Sequence, residues 1–175
     1  VWRGGSAYDA SKSICGAGLK TNFDETLSYL TKDVGNNNDL HAQGFDYVYT
    51  DADGTILYMK KKSGSTETYE DELGKGYTLT LKNSIWYLTD KEGNEKVFSA
   101  GGKLTQIKSN QSTDVIKLAY DANGFLSTVT DGCSNTLKLK RNNNNALIGV
   151  ENYLGTTTLS YSGAKMVTIT YPDQT

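Results

Sequence analysis

A single histidine, His41, stands in the polar stretch Asp39-Leu40-His41-Ala42-Gln43-Gly44. One imidazole excludes a metal centre built from several histidines and leaves one general base for a serine or cysteine nucleophile. Neither Cys15 nor Cys133 lies near it in sequence, and no serine occupies a Gly-x-Ser-x-Gly elbow. A surface histidine is the expectation, and nucleophilic hydrolysis is disfavoured. The two cysteines permit one long-range disulfide at most, and two buried free thiols are the simpler reading.

Twenty acidic residues offer many carboxylate pairs, and a pair about 5 to 9.5 Å apart would suit glycoside hydrolysis. The densest group is Glu67, Glu70, Asp71 and Glu72 around Tyr69, which reads more simply as a solvated acidic turn. Asp51-x-Asp53-Gly54 opens like a calcium loop, but Lys62 stands where the closing Glu belongs, so a hairpin turn is expected. The aromatic residues are the remaining candidates. Tyr47 and Tyr49 with Tyr58, and Trp86 with Tyr87, would form a stacking platform for sugars if they faced solvent, whereas strand alternation sends about half of them into a core. Lys60-Lys61-Lys62 could touch an anionic wall polymer, but reads as a soluble loop tip.

The elements carrying these residues follow from composition and pattern. The chain has 175 residues, 18 Lys+Arg against 20 Asp+Glu, 12 Tyr, 18 Gly and one Pro. A net charge of -2 provides no basic field for a nucleic-acid backbone, and no apolar stretch is long enough for a membrane helix. Tyr and Thr suit half-buried strands, and Gly and Asn suit the turns between them. The blocks Leu104–Ile107, Leu126–Val129, Leu147–Val150 and Met166–Ile169 recur in steps of 22, 21 and 19 residues, each an apolar residue, two others and a β-branched one. Runs Val115–Tyr120, Thr136–Arg141 and Thr157–Tyr161 lie between them. This predicts hairpin units of about twenty residues, apolar on one face and Lys-bearing on the other, which must pack on their neighbours. Asp121-Ala122-Asn123-Gly124 and Asp131-Gly132 are the clearest turns, with Asn-Gly and Asp-Gly supplying the positive φ of tight hairpins.

Upstream, Phe45–Tyr49 with Ile56–Met59, and Ile85–Leu88 with Lys96–Phe98, read as hairpins, and Tyr77–Leu81 adds a strand. Asn36-Asn37-Asn38 and Asn142–Asn145 read as polar loop tips. Asn22 to Leu30 fits either a capped short helix or one face of a strand, and the strand is preferred. The chain begins at Val1 and reads as a processed or excised piece.

The segment Tyr120-Asp121-Ala122-Asn123-Gly124-Phe125-Leu126-Ser127-Thr128-Val129-Thr130-Asp131 resembles the YD repeat of the Rhs family. Partial copies are Phe98-Ser99, Arg141-Asn142 and Tyr161-Ser162-Gly163. The closing Tyr171-Pro172-Asp173-Gln174 is similar to the family's Tyr-Pro-Asp-Gly, and Gly16-Ala17-Gly18-Leu19-Lys20-Thr21-Asn22-Phe23 is similar to the Gly-x-Gly-Trp-x-x-Asn stretch that leads into such arrays. The resemblance marks Tyr120, Asp121, Gly124, Leu126, Val129, Asp131, Leu147, Val150, Tyr161, Met166 and Ile169 as structural repeat positions. It implies a bacterial, exported, wall-associated or toxin-related protein whose repeats build a β strip that spirals into a shell.

The expected fold is all-β: antiparallel hairpin repeats forming a curved sheet or strip, with a pre-repeat hairpin region over 1–97 and YD-like repeats over 98–175 as one continuous β unit. The expected role is a non-enzymatic scaffold or shell segment, without cofactor or metal. Its partners would be further repeats or self-association through edge strands. The competing expectation is a module binding cell-wall polysaccharide through Tyr47, Tyr49, Trp86 and Tyr87.

Overall fold

A computed structural model describes residues 21–31, 37–163 and 165–173. Val1, Cys15, Gly16 to Lys20, Asn36 and Gln174, all named above, lie outside the described residues. Apart from one short helix the regular structure of the described residues is all strand, and every paired ladder is antiparallel between strands consecutive in sequence, as expected for a strip of hairpins. It falls into two compact units, Glu25–Val115 in one and Ile116–Thr175 in the other.

The first unit holds β1 (Thr26–Tyr29), a short α1 (Asn37–Ala42), β2 (Phe45–Thr50), β3 (Ile56–Lys61), β4 (Thr68–Asp71), β5 (Thr78–Lys82), β6 (Ile85–Thr89), β7 (Glu95–Phe98) and β8 (Leu104–Lys108). Cross-strand partners share a face, so Leu27 and Tyr29 stand with Tyr49 and Tyr47, and Tyr49 stands with Leu57. Leu27, Tyr49, Leu57, Met59, Tyr69, Leu79, Trp86, Leu88, Phe98 and Leu104 form the core of this unit. The sheet folds over its own face to bury them. In a flat sheet β2 and β6 would lie four strand spacings apart, roughly 19 Å; the rings of Tyr47 and Trp86 have centroids 4.5 Å apart. A bridge between Thr26 and Lys103, with the Leu27 N–H donating to Gly102 O at 3.0 Å, ties β1 to the β7–β8 turn.

Several local expectations need correction here. Asn37 and Asn38 start α1 rather than a loop tip. Lys60 and Lys61 end β3, and only Lys62 enters the loop, where it pairs with Glu70 at 2.8 Å. Of the acidic group, Glu67, Glu70 and Glu72 are exposed as expected, but Glu70 and Asp71 lie in β4, a strand that forms because Tyr69 is a buried member of the inner face.

The second unit holds β9 (Val115–Tyr120), β10 (Leu126–Thr130), β11 (Thr136–Arg141), β12 (Leu147–Asn152), β13 (Gly155–Ser162) and β14 (Lys165–Thr170). The four repeated blocks of the sequence are β8, β10, β12 and β14, and the runs between them are β9, β11 and β13. An apolar residue followed by another three places on breaks strict alternation, and the ladders show how it is accommodated. Phe98 faces Leu104 while Val97 faces Gln106, so Thr105 is an extra, unpaired residue. Ser127, Ile148 and Val167 are skipped in the same way in β10, β12 and β14. This β-bulge at the second position of every block returns both apolar positions to one face and adds local twist. Thr105 Oγ1 donates to Val97 O at 3.0 Å, and Ser127 Oγ donates to Ala119 O at 3.1 Å, the same bond in two repeats.

The turns repeat as well. In those starting at Asp51, Asp90, Ser99, Asp121, Asp131 and Asn142, residue i donates its N–H to the carbonyl of i+4, and i+3 donates to the carbonyl of i. The fourth residue always has positive φ: Gly54, Gly93, Gly102, Gly124, Ser134 and Asn145, from 60° to 94°. This is a type I turn closed by a left-handed residue; Gly124 supplies the positive φ expected of Asn-Gly, whereas Gly132 does not supply the one expected of Asp-Gly. At Asp131 the left-handed residue is therefore Ser134, two places after Gly132. The side chain of Asp121 accepts from the N–H groups of Asn123 and Phe125, and Asp131 and Asn142 do the same in their turns. A genuine two-residue turn does occur at Asn83-Ser84, with φ of 51° and 62°.

Candidate functional site

The aromatic residues singled out by the sequence separate into three environments. Tyr49 is 0% exposed and belongs to the core, which corrects its expected place on a stacking platform. Its phenol donates to Glu25 Oε2 at 2.7 Å, and Lys96 Nζ lies 2.9 Å from the same oxygen of Tyr49 and 2.8 Å from Glu25. Burial, then the Glu25 charge and hydrogen bond, drives the Tyr49 pKa far above the usual phenol value. Tyr87 is half-buried on the other face of β6, with the ammonium groups of Lys82 and Lys108 at 5.7 and 5.5 Å from its ring centroid.

Tyr47 and Trp86 remain together at a cleft. Its volume is about 370 Å³, and its walls are Leu27, Ser28, Tyr29, Tyr47, Trp86 and the Ala100–Gly102 turn. Trp86 is mostly buried, at 6% exposure, and shows only part of its ring; Tyr29, not among the expected platform residues, is 50% exposed and is the accessible ring. Tyr29 packs edge-on to Tyr47 at 5.4 Å, Tyr47 against Trp86 at 4.5 Å and against Tyr69 at 5.1 Å. The rings thus brace one another from the core outward. Nothing in the local sequence marks Tyr29, because its register opposite Tyr47 is set only by the β1–β2 ladder.

Behind the rings lies a polar support. His41 is nearly buried: its Nδ1 meets Asp46 Oδ1 at 2.9 Å, its Nε2 contacts Leu30 O, and its ring lies 5.3 Å from Tyr29. It is a latch joining α1, β2 and the end of β1, not the surface histidine expected. Burial, followed by the Asp46 charge, pushes Tyr69 up to about 12, and the same two causes raise Tyr47. Neither phenol supplies a base at neutral pH.

The other candidates are structural. The Asp71 carboxylate accepts from the N–H groups of Leu73, Lys75, Gly76 and Tyr77 at 2.8 to 3.1 Å and shapes the β4–β5 loop. Glu72 Oε1 lies 3.3 Å from the Tyr58 N–H. Asp51 and Asp53 spend carboxylate oxygens on the N–H groups of Asp53 and Thr55, giving a hairpin turn. Among the described residues no group of three His, Cys, Asp or Glu side chains is placed to hold a metal. Cys133 is free and exposed at the β10–β11 turn, correcting its expected burial.

The marked repeat positions have several different surroundings. Leu126, Val129 and Leu147 are buried, Asp121 and Asp131 organise turns, and the Tyr161 phenol donates to Leu147 O at 2.6 Å. Tyr120 is half-buried opposite Leu126, and Gly124 supplies a φ of 84°. Val150 and Met166 are half-buried, while Ile169 is 44% exposed.

Compared with models of known protein families and with curated proteins, the chain matches none.

Proposed function

We propose that this chain is a non-enzymatic structural segment of an exported bacterial protein of the YD-repeat type, acting as scaffold or as part of a shell. The observation carrying the reading is the recurrence of one hairpin device through both units: an aromatic or arginine strand end, the i to i+4 turn, an apolar residue and a bulge. Such repeated units contribute a continuous face rather than a single catalytic centre.

The second unit supports this role in a further way. Its apolar face runs through Leu118, Val129, Leu137, Val150, Leu159 and Ile169, and its opposite face carries Lys138, Lys140 and Glu151 in ion pairs. Leu118 and Val129 are buried, Val150 and Leu159 are half-buried, and Leu137 and Ile169 are 38% and 44% exposed. An apolar face left partly open from β11 to the edge strand β14 suits packing against more β structure of the same kind. Size-exclusion chromatography with light scattering, combined with hydrogen exchange, tests the reading. Concentration-dependent association with poorly protected β13 and β14 amides is expected. A strict monomer with well-protected amides in both strands would overturn it.

A further inference from the structure

The cleft between β1, β2, β6 and the β7–β8 turn is independent of that role. Its accessible wall is the ring of Tyr29, backed by Tyr47 and Trp86, and its other wall is the Ala100–Gly102 turn. No residue lining it carries a charge. A ligand here meets one aromatic face, a serine and the peptides of a turn, and no cation or carboxylate. The Ala100 and Gly101 N–H groups make no hydrogen bond to another described residue. Gly101 has no Cβ, and a built one would meet only Ser99 Oγ at 3.9 Å, so the peptide stays approachable.

We propose that this cleft binds a pyranose ring of an uncharged glycan, stacked on Tyr29 and hydrogen-bonded to the Ala100–Gly101 peptides. A sugar ring has one C–H-rich face for an aromatic platform and hydroxyls around its rim for peptide and serine groups. An anionic polymer finds no cation on these walls. A peptide cannot add as a strand at Leu27, because that N–H already donates to Gly102 O. The volume is that of a small-molecule site, at the lower end of the usual range of about 300 to 1,000 Å³.

The test is a nitrogen-15 NMR titration of the full chain with cellohexaose, maltohexaose, laminarihexaose and chitohexaose, with a polyproline peptide and a polygalacturonate oligomer alongside. Saturable shifts at Ser28, Gly101 and Gly102 are expected with at least one neutral glycan. Tyr29→Ala and Gly101→Leu should each weaken binding by about tenfold, while Tyr87→Ala, on the other face, leaves it unchanged. Gly101 lies outside the left-handed region, so the leucine occupies the cleft without backbone strain and keeps the test valid if Tyr29→Ala loosens His41. Shifts with none of the neutral glycans, shifts only with polyproline or polygalacturonate, or affinity indifferent to both cleft variants would each overturn the proposal. Self-association should be the same in the variants, which separates this site from the scaffold role.

Discussion

Tyr49 donates its phenol to Glu25 Oε2 across 2.7 Å in a place almost closed to water, with Tyr49 0% and Glu25 6% exposed. Lys96 completes the triangle from β7 and lies 5.5 Å from the Tyr49 ring centroid. The segment entering β1, strand β2 and strand β7 are thereby fixed together where the sheet folds over itself. Removing Lys96 alone leaves a buried carboxylate without its counter-charge. Lys96→Met should destabilise the first unit by about 3 kcal/mol, whereas Glu25→Gln with Lys96→Met should recover most of that loss. Urea unfolding of both variants checks this; equal losses would mean that the charge pair does not hold the fold.

Gly102 makes the closest approach to another strand's backbone among the described glycines. A Cβ there would sit 1.7 Å from Leu27 O, and its φ is +77°, whereas Gly74, at +63°, has nothing within 4 Å. Gly74→Ala should cost only the left-handed strain, about 1 to 2 kcal/mol. Gly102→Ala adds a collision that must move β1, and should cost about 3 kcal/mol or more while raising hydrogen exchange at Leu27. Similar melting points for the two variants would show that the β1 bridge is dispensable.

Ser134 and Asn145 occupy the left-handed position that glycine holds in the other four turns of the same type, with φ of 69° and 60°. Ser134→Gly should stabilise by up to about 1 kcal/mol, and Asn145→Gly by less because asparagine tolerates this region better. Thermal unfolding of the single variants measures both, and a destabilised Ser134→Gly chain would contradict the turn assignment.

Asp71 holds four N–H groups with one carboxylate. Asp71→Ala should cost about 2 kcal/mol and open the loop over residues 72–77, with increased exchange there and none at β6. Unchanged protection of Tyr77 would refute it.

The turn aspartates also set an acid limit. Burial alone would raise the Asp90 pKa, but hydrogen bonds from the Asn94 side chain and from the N–H groups of Asn94, Glu92 and Gly93 outweigh it and hold the group below its ordinary 3.8. Asp131 is lowered by the Asn135 side chain and N–H, then by the Cys133 N–H. A folded pKa below the unfolded one means that the unfolded chain binds more protons in between. The contribution is therefore present above about pH 4 and is lost as pH falls through the folded values. Melting of the native chain and of Asp131→Asn should converge below about pH 4, the asparagine serving as Asn142 does in its own turn. A gap that widens on acidification would reverse the sign of this argument.

The hairpin period, the strand class and the turn sites were legible in the sequence because they are local. The blocks at Leu104, Leu126, Leu147 and Met166 are strands, and Asp51, Asp121 and Asn142 start turns, since Asp and Asn bind their own neighbouring N–H groups wherever the chain reverses. What a residue faces after the sheet folds is not local. The inner face of β2 carries Tyr47 and Tyr49 two residues apart with the same alternation, yet Tyr49 is sealed by Glu25, Lys96 and Phe98 while Tyr47 reaches a cleft. His41 lies in a polar stretch and is nearly buried because Asp46 and Leu30 come to it from other elements. Alternation along a strand determined which side chains share a face; only the folding of the sheet decided which of them water still reaches, because that depends on strands distant in sequence meeting at ring-contact distance.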